Sequence, residues 1–204
     1  MKIIKINKYA NDQTLISDCI DQKSAAQKYL FNKYSRLFLA ISNRYISNEK
    51  EAEDVMMESF MIIFNKIKTF NNKGSLEGWM KKILVNNCIG HLRKNKIMFV
   101  SLEKVNQNEN IYSTDENSEN KAEVLMKILK SLPEGYRSVF NLYVMEEYKH
   151  KEIAEILNIS ENTSKSQLFK AKKMIKRQLK QLDEKNLQID KEEELIKSIN
   201  ISHG

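Results

Sequence analysis

Two stretches of the chain concentrate cations and exclude acids: 81–96 holds five Lys or Arg, and 165–180 holds seven. Repeated at helical spacing, such side chains neutralise a polyanion, and a phosphodiester backbone is the anion they suit. The second run comes after Lys151-Glu152-Ile153-Ala154-Glu155-Ile156-Leu157-Asn158-Ile159-Ser160. There a short helix with the small residue Ala154 can cross closely over a second helix. Asn158 tolerates a left-handed turn and Ser160 can cap the second helix. That pattern is a helix-turn-helix, whose second helix enters the major groove of duplex DNA through its N-terminal residues.

The faces of that second helix separate by spacing. Leu168, Ala171, Ile175 and Leu179 share one side and read as core. Asn162, Ser166, Phe169, Lys170 and Lys173 point away, with Thr163 and Lys165 in the first turns beside them. Lysines there would neutralise phosphates, while Ser166, Phe169 and Lys170 can reach base edges. An amphipathic helix with a solvated basic face has the same composition. The capped turn, the small crossing residue and the acid-free run together favour DNA.

In the first cationic run, Lys82, Asn86, Gly90 and Arg93 form a stripe opposite an apolar face, with Lys81, Asn87 and Lys94 beside it. Alone this is an ordinary solvated face. The aromatic residues of 70–79 lie next to basic ones, which suits unstacked single strands, although Trp79 itself reads as core. A third surface is acidic: Glu51, Glu53, Asp54 and Glu58 lie off the apolar face of the helix at 49–64 and cannot favour DNA. Met57 and Met61 also lie partly off it, as exposed apolar patches of the kind protein partners use.

The elements that must position these residues are helices. With 204 residues, one Pro and five Gly, the chain is long enough for a real core and too poor in turn formers for a β-sandwich or barrel. The spacing predicts an all-α protein of two helical domains. The first, 1–97, has about four helices, with Leu30, Tyr34, Leu37, Phe38, Ile41 and Tyr45 on one apolar face and Ala52, Val55, Met56, Phe60, Ile63 and Phe64 on the next. Asn48 and Glu51 look like a capping pair between them. The second domain, 121–182, carries Leu125, Ile128, Leu129 and Leu132, then Pro133 at the first position of a helix, then Tyr136, Val139, Phe140 and Tyr143. Periodicity vanishes between the domains, and 103–123 holds six acids against two lysines, so 98–120 reads as a flexible acidic linker. An acidic tail, with six acids against three lysines, occupies 183–204.

The net charge of +7 agrees with a polyanionic partner. Cys19 and Cys88 make no disulfide framework, and His91, His150 and His203 have no ligand-like spacing, so neither metal nor cofactor is expected. No nucleophile pair or phosphate loop suggests an enzyme or a small-molecule substrate. No secretory signal is visible, and the longest apolar run, at 60–64, is far short of a membrane span, which predicts a cytoplasmic protein without direct membrane insertion. The residues alone leave two other readings open. One is a helix-turn-helix regulator whose N-terminal module senses a ligand or dimerises. The other is a helical adaptor whose basic faces meet an acidic partner.

Four motifs in order carry a family resemblance: Ala52-Glu53-Asp54-Val55-Met56-Met57-Glu58-Ser59-Phe60; Trp79 with Ile83, Asn86 and Leu92-Arg93; Leu132-Pro133-Glu134-Gly135-Tyr136-Arg137; and Thr163-Ser164-Lys165-Ser166-Gln167-Leu168. Over about 12–182 the chain resembles a bacterial RNA polymerase sigma-70 family factor of the extracytoplasmic-function (ECF) group. The resemblance implies a core-polymerase contact through Asp54, Met57, Glu58 and Met61. It implies recognition and opening of a −10 promoter element by Lys82, Asn86, Asn87, Arg93 and Lys94, with an unstacked base held in the loop before Trp79. Duplex binding of a −35 element would fall to Asn162, Thr163, Lys165, Ser166, Phe169, Lys170 and Lys173. Promoter DNA, core RNA polymerase and an anti-sigma factor are the implied partners. Some positions depart from the family pattern: Met57 stands for a common Gln, Gly90 for a common Asp, Asn162 where Gly is frequent, and Glu147 for a turn Gly. Ser164 lacks the apolar side chain many helix-turn-helix units use, which should loosen that crossing slightly.

Overall fold

The structure, a computed structural model, describes residues 8, 9, 11–94 and 121–201, apart from the side chains of 121–122 and 185–201. The linker read at 98–120 lies outside the described residues. The elements are helical, and the chain divides into two compact units, Met1–Asn106 and Gln107–Gly204.

In the first unit the described helices are α1 (Asp12–Ile20), α2 (Ser24–Tyr45), α3 (Glu49–Lys66) and α4 (Leu76–Lys94), with a 3-10 turn at Ile67–Thr69. Asn11 caps α1 by accepting from the Gln13 amide at 2.9 Å. Asn48 caps α3 through the amides of Lys50 and Glu51, satisfying donors that a helix start leaves open. The pairing read for Asn48 and Glu51 is only half made, because the Glu51 carboxylate lies 2.9 Å from His91 Nε2 on α4. Helix α2 packs on α3 and α4, and α3 packs on α4. Leu30, Phe38, Ile41 and Tyr45 meet Ala52, Val55, Phe60 and Ile63 there, with Met80, Leu84 and Leu92 closing the core. The Phe38 and Phe60 rings stack at 5.1 Å. Leu37 is a correction to the core reading. It is 37% exposed because the covered stripe centres on Tyr34, Phe38 and Ile41, leaving Leu37 at its edge. Val85 and Cys88 join the core from α4 instead.

The second unit runs α5 (Lys121–Ser131), α6 (Glu134–Phe140), a π turn (Asn141–Met145), α7 (His150–Leu157) and α8 (Glu161–Ile201). Pro133 immediately precedes α6 rather than opening it, with φ −52° and ψ 141°, and its carbonyl accepts from the Arg137 amide at 2.9 Å. Arg137 is buried and donates through Nη1 to the carbonyls of Lys130 (2.9 Å) and Leu132 (3.3 Å), so one guanidinium closes the end of α5. Burial lowers its pKa from the ordinary arginine value, and Glu134 opposes that shift. Tyr143, read as core, is 38% exposed. The π turn inserts an extra residue into the register, so Leu142 takes the buried position. On α8, Leu168, Ala171 and Ile175 are buried as read, but Leu179 is 42% exposed. It lies with Phe140 and Ile175 in an open groove whose other lining residues are Lys172, Lys176, Lys180 and Asp183, and no apolar element closes over it among the described residues. The acidic tail continues α8 as far as Ile201.

Candidate nucleic-acid interface

The turn between α7 and α8 forms as its residues dictate. Asn158 ends α7 in the left-handed region, at φ 53° and ψ 50°, where asparagine is among the better-tolerated side chains. Ser160 then caps α8, accepting from the Thr163 amide at 2.9 Å. The Thr163 hydroxyl lies 2.8 Å from the same Ser160 oxygen, so this site candidate is engaged in the cap. Before α7, Glu147 sits at φ 59°, and the Lys149 amide donates to the Glu152 carboxylate at 2.8 Å.

The crossing of α7 over α8 is polar where a loose contact was expected. Ser164 is fully buried, and its hydroxyl lies 2.9 Å from His150 Nδ1. The His150 ring stacks on Tyr143 at 4.6 Å, and the Lys172 ammonium stands 5.7 Å from the centre of the Tyr143 ring. Ser164 therefore ties the crossing instead of loosening it, which corrects the sequence reading. The residue that does this, His150, carries no periodicity signal.

The outward face of α8 has the composition read from spacing. Asn162, Lys165, Ser166, Lys170 and Lys173 are exposed, and Phe169 is 70% exposed. Burying an aromatic ring that size gains about 2 kcal/mol, a gain that Phe169 forgoes within this chain. Lys165 pairs with Glu161 at 2.7 Å, and that ammonium holds the Glu161 carboxyl below its ordinary range. Ser166 donates to the Thr163 carbonyl at 3.0 Å. Lys172, Lys176 and Arg177 extend the exposed cationic surface beyond the residues singled out.

In the first unit, Lys82, Asn86, Arg93 and Lys94 are exposed on α4. Asn87 is not beside them. Its Nδ2 donates to the Val55 carbonyl (3.2 Å), Ser59 Oγ (3.1 Å) and Glu58 Oε2 (3.5 Å), so it bridges α4 to α3. Ser59 Oγ also donates to the Val55 carbonyl at 2.6 Å, so the Asn87 amide joins a polar cluster at the α3–α4 contact, which turns its side chain away from the cationic stripe. The loop before α4 turns through Asn72 (φ 59°) and Gly74 (φ 89°). Phe70 and Trp79 flank it with their rings 5.6 Å apart, and both are half-buried, so Trp79 is less deeply packed than read. On α3, Asp54 and Glu58 are exposed, and Met57 and Met61 are 47% and 64% exposed. Among the described residues, no His, Cys, Asp and Glu cluster could hold a metal ion. Nor is any helix there long and apolar enough to cross a membrane.

Family models match both units: sigma-70 region 2 over residues 30–97 and sigma-70 region 4 over residues 122–175. RNA polymerase sigma factor SigV of Bacillus subtilis is 31% identical over 148 residues, spanning 72% of this chain and 86% of that protein. This chain is a sigma-70 family factor of the ECF group. Other ECF relatives are more distant. SigM of Bacillus subtilis is 28% identical, over 74% of this chain and 90% of its own length. The ECF sigma-E factor of Haemophilus influenzae is 24% identical, over 84% and 96%. The region 2 match covers α3 with its acidic face and α4, while the region 4 match covers α7, the turn and α8 as far as Ile175.

Proposed function

We propose that this sigma factor directs promoter-specific initiation through three surfaces divided between its units. The domain at 1–97 docks on core RNA polymerase through Asp54, Met57, Glu58 and Met61. It also takes the opened −10 element along Lys82, Asn86, Arg93 and Lys94, with Phe70 and Trp79 flanking a captured base. The domain at 121–182 binds the −35 element as duplex, through Asn162, Lys165, Ser166, Phe169, Lys170 and Lys173. A connector at 98–120 and a tail at 183–204 complete the chain. Unstacking a base step costs a few kcal/mol. A base-capturing surface and a large polymerase partner together meet that cost, and tethering the two domains raises the effective concentration of each at the promoter.

The observation that carries this reading is Phe169, exposed within the acid-free run 165–180 beyond a properly capped helix-turn-helix turn. The region 2 match over 30–97 occupies the stretch that a separate sensing or dimerising module would need. The reading makes the chain a binding subunit without chemistry of its own, acting in the cytoplasm beside polymerase and held in check by an anti-sigma factor. Run-off transcription with purified core polymerase tests it. Core enzyme plus this chain is expected to yield discrete promoter-dependent transcripts from genomic fragments. Their absence on every fragment tried overturns the proposal.

A further inference from the structure

Gly90 lies inside α4 in ordinary helical conformation, where glycine destabilises a helix by about 1 kcal/mol relative to alanine. Among the described residues the fold gives no reason for it. A Cβ added there meets no described atom within 4 Å, so the glycine serves no close helix–helix approach, and no left-handed angle demands it. It sits on the outward stripe, one turn after Asn86 and one turn before Arg93 and Lys94, all exposed, with Lys82 two turns earlier. The result is a notch in the helix surface with cations at both ends. Such a notch suits a polyanionic strand that must come closer to the helix backbone than a side chain allows.

We propose that Gly90 is a positioning residue that seats the sugar–phosphate backbone of the opened DNA strand against α4, between Lys82 and the Arg93–Lys94 pair. This rests on the assignment of α4 to opened DNA given under Proposed function. A single methyl at position 90 lifts the strand off the helix and weakens the flanking contacts. The same methyl favours the free protein, because it enters open space and raises helix propensity. Gly90→Ala should therefore move stability and DNA binding in opposite directions, which a merely structural glycine cannot do.

The test uses the full chain, alone and reconstituted with core polymerase. Probes are duplex and single-stranded DNA covering one promoter located by transcript mapping. Gly90→Ala is expected to raise the melting temperature of the free chain by several degrees, while reducing single-strand binding and promoter opening by the holoenzyme at least fivefold. Lys82→Ala and Asn86→Ala are measured beside it. A lower melting temperature for Gly90→Ala overturns the proposal, because the glycine then serves the fold. If Lys82→Ala and Asn86→Ala weaken binding and Gly90→Ala changes it less than twofold, the notch is wrong and the surface stands. If all three bind as the unsubstituted chain does, α4 is not the DNA surface and both readings fall.

Discussion

His150 Nδ1 stands 2.9 Å from the buried Ser164 hydroxyl, and through that contact the first helix of the helix-turn-helix holds the second at its crossing point. A buried hydroxyl at a helix crossing is destabilising unless partnered, and here the partner comes from the neighbouring helix.

Removing either side of that pair should loosen α8. Ser164→Ala and His150→Ala are each expected to lower stability by about 1–2 kcal/mol. Their double-mutant cycle should show a coupling near 1 kcal/mol, which distant sites do not. Urea denaturation of the four proteins gives the coupling, and strict additivity would show that the contact contributes nothing.

Arg137 anchors α6 to the end of α5. Arg137→Met keeps much of the side-chain volume but strands the carbonyls of Lys130 and Leu132, with an expected loss of about 2–4 kcal/mol. Arg137→Lys should rescue little, because a single ammonium cannot reproduce the forked guanidinium. Denaturation midpoints of the two variants would coincide with the unsubstituted protein if the guanidinium were dispensable.

Acid stability should depend on Asp18. Hydrogen bonds from Lys23 and Lys8 hold its carboxyl down at about 2, from an ordinary value of 3.8. A carboxyl with a lowered folded-state pKa stabilises the fold fully above its unfolded value and loses that contribution as pH falls towards the folded value. Between about pH 4 and pH 2, unsubstituted protein should therefore lose stability more steeply than Asp18→Asn. Parallel pH profiles for the two would remove Asp18 from the account.

On the DNA face of α8, charge and shape should separate. Lys173→Ala is expected to weaken duplex binding alike on all sequences and to reduce the salt slope by about one. Phe169→Ala should leave the slope unchanged and lower discrimination between the mapped −35 element and its point variants, at about 1–3 kcal/mol for a contacted base pair. Fluorescence anisotropy across a salt series distinguishes the two, and a changed slope with Phe169→Ala would contradict its assignment to base edges.

The polymerase surface can be probed at Met61, the more exposed of the two outward-facing methionines on α3. Met61→Lys should leave the melting temperature within a degree or two, since surface changes fall within about 0.5 kcal/mol, and should cut association with core enzyme several-fold. Equal co-purification of core polymerase by both proteins would place the docking surface elsewhere.

Much of this was readable from residue order, because helices are local. Spacing of 3 and 4 residues picks out an apolar side whatever lies opposite it, and Asn11, Asn48 and Ser160 cap amides two or three positions away. Hence two helical domains, the turn at Asn158 and the outward Phe169 come from the chain alone. The charge map does too, since acids and bases are segregated along the sequence itself. Spacing could not tell which neighbour arrives against a polar side chain. Asn87 faces Glu58 across 29 residues, and Glu51 leaves its expected cap for His91 across 40. Only the packing of α3 on α4 brings those groups within reach, and a buried carbonyl or hydroxyl then selects the partner. The π turn after Phe140 acts likewise: one extra residue hands the buried place from Tyr143 to Leu142. That shift reflects how α6, α7 and α8 fill the space together, which no single helix specifies.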